Sequence, residues 1–464
     1  MATGWGYSGA ESVNAVVVGV IAYIILQFAV GLWVSRQIVT ERDYINAGRR
    51  IGPIIGAFTV FATWFGAEAI IGAGGEVYRK GISGATLDPF GYALALVVSG
   101  LVLAVPLWNR GYVTFGDLFR ERYSPGVEKL AVFLMLPGTV MWAAAQIRAF
   151  GQVMGAASDV PVVTMIIIGA VVVIAYTTIG GLMADAITDF IQGVAIIAGL
   201  IVLCLLVVSS LGGLGAALER VPAERLSYGE AASNPLVLAE MWAVPIFGTM
   251  VSIELISRML ATRSAQVART ACVYGGLIYL LVGLIPVFLG LVGPVLAPDL
   301  AEPEQIVPQL AQVYLPAILY VIFAGAIVSA ILSTVDSALL ASGAILSHNV
   351  IQHVAGDWVR RRPLLVTRLT VAGLGVVAFV IALQPGTIHE LIVTAASFGS
   401  ACLVVVTLFG LFTPVGGVAS AYGALILGSG VWAASSLFEL TETPYLYGVG
   451  SAVLVYLGLA LRGR

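Results

Sequence analysis

Six ionisable side chains stand inside long apolar runs of this sequence: Glu68, Asp88, Arg148, Asp189, Glu254 and Asp336. A charge at hydrocarbon depth is costly and is kept where it binds, relays or pairs. Each also has a plainer use, since Asp88 and Asp189 can cap helix starts, Arg148 and Glu254 can neutralise one another, and Asp336 can cap a neighbour. A second constellation is Ser329, Ser333, Asp336 and Ser337, whose spacings of three and four bring them towards one side of a helix. With Thr334 beside Ser333, this stretch carries the hydroxyl oxygens that a small hard cation such as sodium takes, unless those hydroxyls simply bond back to their own helix. A third is aromatic: Trp64, Tyr92 and Trp142 fall on three successive deep runs. Packing is the commoner use of such rings, but their faces also attract a cationic head group by about 1 to 2 kcal/mol each when desolvated.

The elements that must position these groups follow from composition. Of 464 residues, 59% are hydrophobic and 10% charged, too few polar groups to clothe a soluble protein of this length. A bilayer core of about 30 Å needs about 20 apolar residues per helix. Thirteen runs of roughly that length cover residues 13–34, 51–76, 84–106, 130–156, 162–179, 187–211, 241–260, 270–293, 313–347, 364–383, 391–412, 415–438 and 444–461. They are apolar all round and too long for the alternating strands of a barrel, so helices satisfy the backbone. The expectation is an all-α integral membrane protein with about thirteen spans in one domain over 1–464, and no separate soluble domain.

The second run is unusual. Gly56, Gly66, Gly72, Gly74 and Gly75 accompany Trp64 and Glu68, which predicts a broken helix that frees carbonyl oxygens near the midplane. Close packing of helices at glycine is the alternative.

Basic residues set the orientation, because short cytoplasmic loops retain Lys and Arg. One side collects seventeen of the 22: Arg36, Arg42, Arg49, Arg50, Arg110, Arg120, Arg122, Lys129, Arg258, Arg263, Arg269, Arg360, Arg361, Arg362, Arg368, Arg462 and Arg464. The other side holds Arg79, Lys80, Arg220 and Arg225. This predicts a cell (inner or plasma) membrane protein with its N-terminus outside and its C-terminus cytoplasmic, an arrangement that needs an odd number of spans. The first apolar run is expected to stay as an anchor.

Other chemistries find no support. The three histidines, His348, His353 and His389, have no HExxH or Cys/His spacing and read as solvated loop residues; Cys204, Cys272 and Cys402 read as small buried hydrophobes. There is neither a GxxxxGK[ST] loop nor a GxSxG elbow, so neither a nucleotide engine nor an enzyme is expected, and no nucleic-acid or obligatory protein partner is evident.

Several motifs together resemble the sodium:solute symporter family over nearly the whole chain. Residues 180–192, GGLMADAITDFIQ, look like its signature, and Ala330 to Ser337, AILSTVDS, look like its ninth helix. Gly111 to Thr114 followed by Asp117, and Ser257 to Ala261, fall where the family has similar segments. Within the family, Thr63-Trp64, Pro89 to Tyr92, Gly111 to Thr114 and Trp142 to Ala145 look most like the high-affinity choline transporter group. Two departures are Ser252 and Glu254, in place of a segment with a further cage aromatic, and Glu68, in place of a small residue.

The resemblance implies a LeuT-type fold with a five-plus-five inverted repeat, on helices two to six (51–211) and seven to eleven (241–412), followed by two C-terminal helices (415–464). It implies a sodium site from Ala62 and Phe65 carbonyls with Ala330, Ser333 and Thr334, and a sodium-associated Asp189. Trp64, Glu68, Tyr92, Trp142 and Glu254 become the candidate substrate residues. The implied function is sodium-coupled import of a small organic solute, such as a choline-like cation; chloride is left open. Another solute, namely an amino acid such as proline, a monocarboxylate or a sugar, and a non-transporting membrane sensor are the alternatives.

Overall fold

A chain in lipid must pair its backbone groups within itself, and this one does so with helices. The computed structural model describes residues 29–156, 160–229, 233–354, 356–384, 397 and 399–462, together with 18, 21, 22, 25 and 26. Among these residues the secondary structure is helical, with one isolated bridge between Ile51 and Thr262. Eight helices are long and apolar enough to cross a membrane, or nine if a bent pair is one span. The chain is therefore a multi-pass membrane protein. Most of the expected first span, 13–34, and the first part of 391–412 lie outside the described residues.

A short amphipathic helix, α1 (Glu41–Asn46), starts at a Thr40–Asp43 capping box. The second apolar run then divides as its glycines predict. α2 (Pro53–Trp64) stops at Phe65, whose φ/ψ of −83°/64° is not helical, and after a π-type turn at Glu68–Gly72 the chain resumes as α3 (Ala73–Lys80). A turn at Thr86–Gly91 containing the cis Asp88–Pro89 bond leads into α4 (Tyr92–Val102). α5 (Pro125–Ala156) and α6 (Val162–Ser210) follow. At 49 residues, α6 joins the fifth and sixth expected spans across a kink at Gly181 (φ 66°).

The seventh run was expected as one span, and here the structure differs. α7 (Pro235–Met250) and α8 (Ile253–Ala261) meet at 42°. Ser252 is extended and its hydroxyl caps α8 by accepting from the Leu255 N–H, which stabilises the break. α9 (Ala265–Leu296) and α10 (Ala317–Leu346) are continuous; the latter starts after Pro316, four residues later than the run 313–347 suggests. α11 (Pro363–Ala382), α12 (Ser400–Phe412), α13 (Val418–Leu437) and α14 (Pro444–Arg462) complete the chain.

Packing sorts these helices into two groups. α5, α6, α10 and α11 pack on one another, while α9 holds α2 and α4 together and α7 lies against α4. α2 and α8 also touch α10, so the two broken helices lie between the groups. Cys272 and Cys402 are buried and Cys204 half-buried, all three as free thiols.

Gly181 carries the turn within α6. A Cβ there would stand 2.8 Å from the Tyr44 ring and 3.0 Å from its carbonyl oxygen, on top of the cost of a positive φ. Gly181→Ala should lower stability by about 1–3 kcal/mol, read as an earlier thermal unfolding transition of the detergent-solubilised protein; an unchanged midpoint would show that the turn relaxes freely.

Candidate functional site

The break in α2 is the centre of the site. A helix end leaves its last carbonyls without helical donors; here the Phe61 carbonyl accepts from Phe65 N–H at 3.0 Å and that of Trp64 from Gly66 N–H at 2.9 Å. Across from the break lies α10. A Cβ on Gly66 would sit 2.8 Å from Thr334 Oγ1 and 3.5 Å from Gln146 Oε1, so only glycine lets the chain come this close. Ala62 and Phe65 therefore lie at an unwound end facing the helix that carries Ala330, Ser333 and Thr334, and all five residues are buried.

The hydroxyls are already using their protons. Thr334 donates to the Ala330 carbonyl at 2.9 Å and Ser333 donates to Asp189 Oδ1. Each oxygen keeps lone pairs with which to meet a cation. Asp189 also accepts from Thr59 Oγ1 at 2.5 Å, so this one carboxylate ties α2, α6 and α10 together. It is fully buried in mid-helix, which rules out its use as a helix-start cap.

A charge cluster adjoins it. Arg258 Nη2 lies 2.6 Å from Asp185 Oδ2 and 3.7 Å from Asp189 Oδ2, and the guanidinium also donates to Thr59 at 3.2 Å and to Ser337. Asp336 joins beside Asp185 and Thr177. One guanidinium thus serves three carboxylates. This corrects the sequence expectation for Arg258, counted above among cytoplasmic loop charges: its side chain is 1% exposed and belongs to the core. Asp185, passed over among the buried ionisable residues, is its partner. The signal was present in the signature segment itself, where Asp185 precedes Asp189 by four residues and so shares its helix face.

On the other side of the break is a cavity. Trp64, Tyr92, Trp142 and Glu254 line it, with Thr139 and Ser252 among the polar contributors. The Tyr92 and Trp142 rings meet edge to face, with centroids 6.5 Å apart at 78°. Four of the five expected substrate residues are therefore brought together. Glu68 is not: it lies off the cavity lining and reaches it through Tyr92, whose hydroxyl is 3.5 Å from Glu68 Oε1. Thr139 and Ser400 were missed because single hydroxyls on apolar helices give no periodic signal, whereas Ser252 stood out only as a departure from the family pattern.

The remaining buried charges have specific neighbours. Arg148 donates to the carbonyls of Ile381, Ala382 and Gln384 at the end of α11, and no ion pair links it to Glu254. Asp88 accepts from Tyr279 Oη at 2.9 Å rather than capping a helix. His348 is no solvated loop residue either: it lies in a helical turn after α10, 3.5 Å from Glu41 and 3.8 Å from Asp117. His389 lies outside the described residues. Among the described residues no three His, Cys, Asp or Glu side chains group as a metal site.

The fold has solved counterparts. A Na+-coupled sialic acid symporter in a substrate-bound outward-open state aligns over 99% of this chain and 98% of its own, with a TM-score of 0.84 at 14% identity. The nucleobase-cation-symport-1 family transporter Mhp1, closed with bromovinylhydantoin bound, aligns over 90% and 93% with a TM-score of 0.63 at 15% identity. The family profile described as Sodium:solute symporter family matches residues 44–428. The chain belongs to that family. Among curated relatives, the high-affinity choline transporter 1 of Drosophila melanogaster is 28% identical over 396 residues, covering 81% of this chain but 63% of that protein. Its Homo sapiens counterpart is 27% identical over 81% of this chain and 68% of its own. The sodium/pantothenate symporter of Escherichia coli (strain K12) is 24% identical over 74% and 73%.

Replacing Arg258 alone would strand Asp185 and Asp189 as buried charges. Arg258→Met should cost about 3–5 kcal/mol of stability, with much of it regained when Asp185→Leu is added. Thermal unfolding of the single and double variants decides this; equal losses in both would mean that the stranded Asp185 charge is not what destabilises the single variant.

Proposed function

We propose that this chain is a sodium-driven symporter that imports a small organic cation of the choline type. One observation carries the reading: the break in α2 has an aromatic cavity on one side and a set of buried oxygens on the other, two residues apart in the chain. Trp64 belongs to the cavity, and Gly66 meets α10 at Thr334. A cation held by the carbonyls of Ala62, Phe65 and Ala330 and the hydroxyls of Ser333 and Thr334, with Asp189 as its associated carboxylate, fixes the geometry of the break. That in turn sets the Trp64 face for a solute that also meets Tyr92 and Trp142. The linkage is reciprocal, so the solute tightens sodium by the same factor.

In this reading the chain has thirteen spans with a LeuT-type five-plus-five repeat over 51–211 and 241–412; a broken helix at the start of each half, α2–α3 and α7–α8, favours the repeat. The last two helices, α13 and α14, pack chiefly on one another and also against α12. An N-terminus outside and a cytoplasmic C-terminus in the cell membrane agree with the grouping of basic residues. Arg110 and Arg122 meet the carbonyls of Leu411, Thr413 and Gly416, Arg49 meets that of Tyr112, and Arg225 meets those of Val77 and Tyr78 at the Arg79–Lys80 end.

A second reading of the solute rests on Glu254. Buried in the cavity wall and 8% exposed, this carboxylate would pair with a primary or secondary amine, as in proline or another amino acid.

Uptake into proteoliposomes tests both. With an inward Na+ gradient, labelled choline should accumulate, and a K+ gradient should not support it. Unlabelled choline should compete, while proline, pyruvate and glucose should not; block by proline would favour the second solute. Ser333→Ala and Thr334→Ala should each raise the Na+ concentration for half-maximal uptake about tenfold, the loss of roughly 1.4 kcal/mol for one hydroxyl ligand. Undiminished Na+ activation in both variants would sink the sodium site. Trp142→Leu should raise the choline KM about tenfold by removing one cation–π face, with Na+ activation kept.

A further inference from the structure

Glu68 and Asp88 are left without a cation. Glu68 is 7% exposed and Asp88 3%, and each has one carboxylate oxygen, Oε2 and Oδ2, that is buried with no hydrogen-bond partner. The turns that carry them, Glu68–Gly72 and Thr86–Gly91, pack on one another, and the two carboxylates are close enough to repel. The two arginines buried among the helices are engaged elsewhere, Arg258 with Asp185 and Arg148 with the end of α11. Two neighbouring carboxylates buried without a counter-charge are strongly unfavourable, and the molecule gains by admitting a cation between them.

The surrounding oxygens suit such an ion. Tyr279 Oη bonds Asp88 Oδ1 at 2.9 Å and stands 3.4 Å from the Trp64 carbonyl, while Tyr92 Oη stands 3.5 Å from Glu68 Oε1. Two carboxylates, two phenolic oxygens and one carbonyl from an unwound helix end thus come from α2, the two turns, α4 and α9. All are hard oxygen donors, and with only two acidic groups the set suits a monovalent ion better than a divalent one. Glu68 and Asp88 share none of the residues assigned above to the sodium site.

We propose that Glu68 and Asp88, with Tyr92, Tyr279 and the Trp64 carbonyl, form a second Na+ site behind the aromatic cavity. An ion there holds the Trp64 carbonyl from the α9 side while the first holds the break from the α10 side. Trp64 is then fixed only when both are loaded, so solute binding depends on two ions through one residue. The site stands whichever solute is carried and does not require the first sodium site.

Direct binding of radioactive Na+ to the purified full-length protein in detergent tests it. Wild type should bind at least one more equivalent than Glu68→Gln/Asp88→Asn, whose side chains keep their volume while losing both charges. Ser333→Ala/Thr334→Ala should remove a different equivalent, so loss in one pair of variants and not the other tells which site exists. Each single variant, Glu68→Gln or Asp88→Asn, should weaken the affected equivalent about tenfold, and Glu68→Asp, which keeps the charge, should retain it. Wild-type Na+ capacity and affinity in a monodisperse Glu68→Gln/Asp88→Asn protein would overturn the site and leave a shared proton as the counter-charge. Displacement of this equivalent by micromolar Ca2+ would overturn its assignment to a monovalent ion. Should the double variant not purify, the single variants and Glu68→Asp carry the same decision.

Discussion

The structure depends on one constraint, that a backbone in hydrocarbon must find its hydrogen-bond partners within the protein. A helix that stops in mid-membrane violates it unless other groups take over, and α2 stops at Phe65. The gap is held by α10, which comes so close that Gly66 has no room for a side chain, and by α9, whose Tyr279 reaches the Trp64 carbonyl. Tyr279 also packs on Phe65 with ring centroids 5.4 Å apart, so the unwound residues are braced by a ring as well as by a hydroxyl. Transporter folds use carbonyls freed at such ends to build ion and solute sites.

Electrostatics follows from the same constraint. Much of the buried charge lies beside the broken helices or the turn in α6, where backbone groups and hydroxyls are at hand to compensate it; Arg148, in unbroken α5, instead meets the carbonyls at the end of α11. Asp189 draws Thr59 and Ser333 to itself, Asp185 draws Arg258, and both sit within the second half of α6, after the Gly181 turn. The shortage of positive charge in this region, one guanidinium among Asp185, Asp189 and Asp336, makes a mobile cation the natural complement.

Much of this was legible in the sequence. The helices follow from apolar runs of bilayer length, and the break in α2 from five glycines around Trp64 and Glu68. Ser333, Thr334 and Asp189 were singled out because polar groups at this depth are conspicuous, and Trp64, Tyr92 and Trp142 because rings on three successive spans share one chemistry. The α7–α8 break was not legible, because Ser252 makes it with a hydroxyl cap that looks ordinary in a row of apolar residues. Arg258 was misplaced for a related reason: a basic residue near the end of an apolar run has the same sequence signature in a loop as in a buried ion pair.

The sequence by itself determined which segments enter the membrane, which residue types the core must accommodate and which family the motifs resemble, because those depend on composition and local spacing. Only the tertiary structure decided who meets whom. It put Glu254 on the cavity wall and Glu68 behind Tyr92, and it paired Arg258 with Asp185 across 73 positions of chain. It also brought Asp88, 20 positions on from Glu68 by number, against the same unwound end. Such meetings are set by how helices pack, and the depth, facing and partner of a charged side chain are properties of that packing that one-dimensional spacing does not contain.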